Sequence, residues 1–288
     1  MQFKKVAITG GAGYLGQYVV AELAGRCDVT VLDIKEPEAD VAFARADVRD
    51  LDALRRGLAG HDAVIHLGGL DLAIDATPEA FIETNTLGTW HVLQAAHEAG
   101  ITKVVQCSSV AVTGVGESER EKPHYIPVDE AHPLESSHPY GVSKRAAELM
   151  ARSFVRRGGI SIICLRPVLV MYPFYIPKAV ARMAEDEGRR LFYYVSPEDT
   201  ARAFRLALEV EGVAFDTILV GAADTCTEEP TLDFMHRLYG EMLHVRRPEL
   251  YERNPRASVI DISRAHKVLG YEPTSSWPEL LKAHGGGG

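Results

Sequence analysis

Val6-Ala-Ile-Thr-Gly-Gly-Ala-Gly-Tyr-Leu-Gly-Gln17 decides the fold. A short apolar strand, Val6–Thr9, runs into a turn with glycines at 10, 13 and 16, and the turn opens a helix over residues 14–25. Glycines permit a tight turn and let the backbone approach a pyrophosphate, which then meets the N-terminus of the helix. The spacing is Gly-x-x-Gly-x-x-Gly, and a glycine pattern alone is weak. The strand before it and the helix after it supply the context that gives it meaning. Gly10, Gly13 and Gly16, with Tyr14 and Leu15 between them, are therefore the expected contacts to a dinucleotide.

Working outward, Asp28–Leu32 reads as a second strand, and Asp33 closes it. A carboxylate there accepts hydrogen bonds from an adenosine ribose and repels a 2′-phosphate. Ile34 follows it where an arginine would hold such a phosphate, and Lys35 reads as an exposed lysine, so NAD is favoured over NADP. Asp47, with Val48 after it, is either a helix cap or a contact to the adenine amino group. Helix and strand patterns then alternate: a helix over Asp50–Leu58, a strand over Ala63–His66, a long helix over Pro78–Ala99, a strand over Lys103–Cys107, a helix over 139–157 and a strand over Ile160–Leu165. Continuous apolar strands separated by helices imply a parallel sheet covered on both faces.

Beyond Arg166-Pro167 the pattern loosens. Helices are expected at about 178–187, from Ser196 as cap to about 209, and near 231–242, 263–269 and 277–283, with a strand over Phe215–Val220. The expected fold class is α/β, a doubly wound parallel Rossmann sheet over residues 1–170 that binds NAD. A small C-terminal substrate lobe over 171–284, able to exchange segments with it, precedes a flexible glycine tail at 285–288.

The 288-residue chain is 46% hydrophobic and 25% charged, ordinary for a globular protein. A net charge of −9 argues against a nucleic-acid partner. No run of apolar residues is long enough to span a membrane, and Met1-Gln-Phe-Lys-Lys-Val6 lacks a signal core. Cys27, Cys107, Cys164 and Cys226 are scattered with no Cys-x-x-Cys pair. Buried free thiols and a cytoplasmic location are the expectation, with no metal site.

Tyr140 and Lys144 lie four apart on the expected 139–157 helix and so share a face. An ammonium beside a phenol favours the phenolate. With a dinucleotide turn upstream, the pair points to proton transfer at a hydroxyl while hydride leaves its carbon.

These features resemble the extended short-chain dehydrogenase/reductase family, its sugar epimerase and dehydratase group, over nearly the whole chain. The matching residues are Thr9–Gly16, Asp33, Asp47-Val48, His66-Leu-Gly-Gly69, Asn85-Thr-Leu-Gly-Thr89, Cys107–Gly114, Tyr140-Gly-Val-Ser-Lys144, Leu165-Arg-Pro167 and Asp261–Gly270. The resemblance implies that Ser109 joins Tyr140 and Lys144 as catalytic residues, and that Ser108 serves through its backbone or the cofactor. It implies that Leu67, Gly68 and Gly69 line the nicotinamide ribose, which Lys144 also bonds. It assigns Asn85 to stabilising the sheet and His66 to a strand end without proton transfer. It also implies a homodimer through the helices at about 78–99 and 139–157.

The chain departs from the family in three places. Thr113 stands where a tyrosine usually precedes the glycine. Val110 and Ala111 occupy the places of the acidic pair of dehydratases, which argues against water loss. Phe192 stands where sugar-nucleotide members carry an arginine for the diphosphate; Arg189 and Arg190 are either substitutes after a loop shift or a solvated helix end. Uronate dehydrogenases, a compact branch, are similar but carry Asn-His where Val110 and Ala111 stand. The leading expectation is an NAD-dependent epimerase or oxidoreductase of a sugar nucleotide. A dehydrogenase of a free sugar or sugar acid is the alternative, and a non-catalytic dinucleotide sensor is the second.

Overall fold

The computed structural model describes residues 2–116, 122–184, 193–240 and 243–284. In chain order the first half contains β1 (Lys5–Thr9), α1 (Tyr14–Leu23), β2 (Asp28–Asp33), β3 (Ala42–Arg45), α2 (Leu51–Leu58) and β4 (Ala63–His66). Next, α3 (Pro78–Phe81) runs through a π-helical turn, Ile82–Leu87, into α4 (Gly88–Glu98). β5 (Lys103–Cys107), a 3-10 turn (Val110–Thr113), α5 (Pro139–Arg157) and β6 (Ser161–Pro167) follow. The remainder is α6 (Ile176–Ala184), α7 (Pro197–Glu209), β7 (Phe215–Val220), α8 (Thr231–Tyr239), α9 (Pro248–Arg253), α10 (Ser263–Leu269) and α11 (Trp277–His284).

Seven strands form one sheet in the order β3-β2-β1-β4-β5-β6-β7, and every pairing is parallel. Alternate residues of each strand feed opposite faces. Val105, Ile163 and Leu165 enter the core shared with α1 and α7. Val104, Ile162 and Cys164 enter the core shared with α2, α4 and α5. Both faces are covered, which is why these strands read as unbroken apolar runs.

α7 and β7 come from the segment beyond residue 171, yet β7 pairs with β6 along its whole length. α7 packs on α1, where the Arg205 guanidinium meets Glu22 at 2.5 Å. The sheet layer therefore continues to residue 220. A smaller core of Met171, Ile176, Ala179, Tyr194, Ala222, Cys226 and Trp277 gathers the elements that follow β6 and β7.

Some local features differ from expectation. β3 is an edge strand whose Ala42-Phe-Ala-Arg45 sequence is too short and mixed to announce itself. The helix expected over Pro78–Ala99 is broken in phase by the π turn. α9, seeded by Pro248 at its first turn, was not foreseen. α6 is described to Ala184, so the end of the helix expected over 178–187 lies outside the described residues, whereas the helix expected near 231–242 already stops at Tyr239, where Gly240 caps it with φ 69. All four cysteines are unpaired; Cys164 and Cys226 are buried, whereas Cys27 and Cys107 are half-buried. Among the described residues no helix is long and apolar enough to cross a membrane.

Candidate active site

β1 and β4 lie side by side, but the chain leaves them toward opposite edges of the sheet. A crevice opens at such a switch point, outside the C-terminal ends of the strands. Gly10 lies there with φ +72, a conformation L side chains avoid. A Cβ on it would come within 2.6 Å of the Gly68 nitrogen, so the turns after β1 and β4 touch backbone to backbone. The N-cap of α1, Gly13, supplies no side-chain cap, and the first turn carries no acidic residue. The first N–H groups and the positive end of the helix dipole are thus left for an anion.

Asp33, at the end of β2, is tied to this turn. Its Oδ2 accepts the Ala12 N–H at 3.0 Å and its Oδ1 the Lys35 N–H at 3.1 Å. Each oxygen keeps a lone pair for ribose hydroxyls. The cradle therefore fits the adenosine diphosphate half of NAD. Leu15 packs into the core. Tyr14 is exposed and sets its ring against Tyr172 and Phe174, with centroids 5.7 and 5.0 Å away.

Asp47 is not a helix cap. Asp50 caps α2, accepting the Ala53 N–H at 3.0 Å. The Asp47 carboxylate is held by the Arg49 guanidinium at 2.6 Å, whose hydrogen bonds keep it below the usual carboxylate range. Val48 is buried against Gly68 and Gly88.

Ser109, Tyr140 and Lys144 come together at the ends of β5 and α5. His138 and Pro139 start α5; the His138 Nδ1 accepts the Tyr140 N–H at 3.1 Å. Gly141 then allows close approach: a Cβ there would sit 2.5 Å from the Ala111 carbonyl oxygen. The helix start is thereby pressed against the 3-10 turn, and Tyr140, 7% exposed, reaches Ser109. The Ser109 Oγ also accepts the Ala111 N–H at 3.2 Å. The Lys144 Nζ donates to the Cys107 carbonyl at 3.0 Å and lies 5.7 Å from the centre of the Tyr140 ring.

Burial pushes the Tyr140 phenol up, Asp71 and Cys107 add to this, and the Ser109 hydrogen bond opposes it.

A relay of hydrogen bonds supports the site. The Gly68 N–H donates to the Thr9 hydroxyl at 3.4 Å, which pairs with the His66 Nδ1 at 2.7 Å. The His66 Nε2 pairs with the Thr89 hydroxyl at 3.0 Å, and that hydroxyl donates to the Asn85 carbonyl at 2.6 Å. Because Thr89 spends its proton on Asn85, the His66 proton belongs on Nε2. Burial, aided by Lys144, pushes His66 down to about 3, so it stays neutral and transfers no proton at ordinary pH.

Asn85 lies in the π turn, and its role differs from the sheet-stabilising one expected. Its Oδ1 accepts the Leu70 N–H at 2.7 Å, and its Nδ2 donates to the Leu70 carbonyl at 3.0 Å and the Ser143 hydroxyl at 3.1 Å. It clasps the loop after β4 to α5, beside Lys144. Such π turns recur at functional sites.

One turn further along α5, Glu148 forms a buried ion pair with Arg166 of β6, through Nε at 2.8 Å and Nη2 at 2.7 Å. The Ser108 hydroxyl donates to the same carboxylate at 2.6 Å, and its N–H donates to the Leu165 carbonyl at 2.7 Å. The Ser108 hydroxyl and N–H are thus committed within the protein. Sequence reasoning missed Glu148, although it extends the Tyr140–Lys144 stripe by four residues. It also missed Asp71 and Tyr172, which sit in irregular loops. Arg189, Arg190 and Phe192 lie outside the described residues.

The model of the NAD dependent epimerase/dehydratase family matches residues 6–221. L-arabinose 1-dehydrogenase (NAD(P)(+)) of Haloferax volcanii is 30% identical over 71% of this chain and 82% of that protein. A UDP-glucose 4-epimerase of Halalkalibacterium halodurans is 24% identical over 97% of this chain and 93% of its own. The crystal structure of UDP-glucose 4-epimerase from Brucella ovis in complex with NAD superposes with a TM-score of 0.75 at 22% identity, covering 98% of this chain and 97% of that one.

Proposed function

Since this chain belongs to the NAD dependent epimerase/dehydratase family, and is an enzyme of that type with NAD as its cofactor, we propose that it oxidises a ring hydroxyl of a sugar carried on a nucleoside diphosphate and restores the centre with opposite configuration. The meeting of Ser109, Tyr140 and Lys144 beside the glycine turns carries this reading: the Lys144 Nζ lies 5.7 Å from the centre of the Tyr140 ring and next to Gly69. Tyr140 takes the hydroxyl proton. Ser109 bonds the same oxygen as negative charge develops on it, a donor fixed before reaction. Lys144, anchored on the Cys107 carbonyl, supplies positive charge to the phenolate and a donor to the nicotinamide ribose. NAD, when bound, accepts and returns the hydride. Dehydration is not favoured, because Val110 and Ala111 are buried and apolar where an acid would be required.

A second reading, net oxidation of a free sugar with release of NADH, is favoured by the likeness to L-arabinose 1-dehydrogenase and by Phe192 in place of the diphosphate arginine. The two separate cleanly. Incubation with UDP-glucose and catalytic NAD should yield an epimer by NMR without accumulating NADH. Stoichiometric NADH from a free sugar, with no epimer, would establish the second reading. The family's enzymes make a non-catalytic sensor unnecessary.

The homodimer expectation is supported by apolar side chains left exposed on the helices concerned: Ile82 and Leu87 on the π turn, Val142 and Leu149 on α5. Such a face on two adjacent helices marks an interaction surface. Light scattering should give twice the chain mass, and Leu149→Glu should halve it.

A further inference from the structure

The loop after β4 carries a charged residue to the front of the catalytic tyrosine. Leu70 and Leu72 pack against Phe81, Ala111 and Tyr140. Asp71 stands between them and is exposed. The loop is fixed on both sides of it. Asn85 clasps the Leu70 backbone at 2.7 and 3.0 Å. The Asp71 Oδ1 accepts the Ala73 N–H at 2.9 Å, and its carbonyl accepts the Ile74 N–H at 3.0 Å. The carboxylate therefore cannot withdraw without breaking the turn.

Three groups from three elements feel its charge: Cys107 at the end of β5, Tyr140 on α5, and Tyr172 beyond β6. Leu70 and Leu72, on either side of Asp71, pack on the Tyr140 cluster, so the exposed Asp71 stands beside that cluster. Lys144, on the same face of α5 as Tyr140, is turned to the Cys107 carbonyl.

We propose that Asp71 determines specificity by charge: the space before Tyr140 accepts a sugar ring that is neutral at its reacting end and rejects one bearing a carboxylate there. The inference rests on the hydroxyl-oxidation reading above and sharpens its substrate class. A neutral ring offers hydroxyl donors, and a hydrogen bond to an ionised acceptor is among the strong ones. A sugar carboxylate has no proton to offer and is an acceptor only. It would meet a like charge held in place by the loop. The same charge adds to burial in disfavouring the Tyr140 phenolate, so Asp71 also raises the pH at which the base forms. The groups facing Tyr140 are Ser109 and Cys107 from the end of β5, Asp71 from the loop after β4, Tyr172 from beyond β6, and Lys144 from its own helix.

Matched pairs test this in the full-length protein with NAD: UDP-glucose against UDP-glucuronate, and D-galactose against D-galacturonate. The wild type should prefer the neutral member of whichever pair it turns over. Asp71→Asn, which preserves the turn-forming oxygen, should reduce the neutral-to-acid ratio of kcat/KM at least tenfold. It should also move the rising limb of the pH profile to lower pH, which a purely structural role would not do. An unchanged ratio, or a wild type that prefers the acid, overturns the proposal. Calorimetric binding of the same pairs to Tyr140→Phe reads the charge preference without turnover, and equal or tighter binding of the acid also overturns it. Full turnover by Tyr140→Phe would instead sink the proton-transfer reading and leave the binding preference to be judged separately.

Discussion

α5 carries two charged constellations one helical turn apart, and they are built to opposite ends. At its start, Tyr140 and Lys144 meet Ser109: Lys144 donates to the Cys107 carbonyl, and the phenol is held above its ordinary range by burial. One turn on, Glu148 takes two guanidinium nitrogens from Arg166 and the Ser108 hydroxyl, all out of water. The lower set spends its carboxylate inside the protein and leaves only the buried Arg166 Nη1 without a partner among the described residues. The upper set keeps bonding capacity for a substrate oxygen. Adjacent serines on one strand end serve each: Ser108 locks the loop down, and Ser109 faces the chemistry.

Substitutions can break or sharpen that contrast. Tyr140→Phe should have the largest effect, lowering kcat by about 10²–10⁴, the usual range for losing a general base, while leaving the melting temperature near that of the wild type. Glu148→Ala should do the reverse. It strands the Arg166 guanidinium in the core, a loss of about 3–5 kcal/mol, visible as an early denaturant midpoint. If Glu148→Ala kept its stability and lost only activity, the division between the constellations would be wrong. Ser109→Ala should cost about 10²–10³ in kcat, as for one donor to a developing oxyanion, with little change in KM.

Acid stability gives the most graded test. Folded His66 is pushed down to about 3, whereas an unfolded histidine titrates near 6.5. Between those values the unfolded chain binds the proton and the folded chain does not. Stability should therefore fall as pH drops from about 6.5 toward 3, by roughly 1.4 kcal/mol per pH unit from this group. It should be flat with respect to His66 above that window. His66→Gln, able to bond both threonines, should remove that component in pH-dependent unfolding.

What was legible in the sequence follows from range. The glycine turn, Asp33 and the apolar strands are local patterns, and the sheet follows from their alternation. Tyr140 and Lys144 were legible because four residues bring them to one face of a helix. Ser109 was reached through register with a family motif, which local physics alone would not have supplied. Glu148 and Arg166 are 18 residues apart on a helix and a strand, and nothing periodic joins them. Asp71 matters only because Asn85, across a loop, fixes the turn that displays it. The burial that pushes the Tyr140 phenol up belongs to the assembled core and cannot be read from a neighbour's charge.

The π turn at Ile82–Leu87 has a consequence for how this helix can change. An α-helix turns about 100° per residue, and one residue added within it offsets everything beyond by that angle. The stretch upstream presents Phe81 to the tyrosine, while the stretch downstream presents Val92, Leu93 and Ala96 to the sheet. Deleting a single residue between 82 and 87 would restore a regular helix and rotate one of those two faces out of alignment. The segment should therefore tolerate many exchanges of side chain but no change of length, and in a deletion scan the helix should fail there as sharply as at its buried ends.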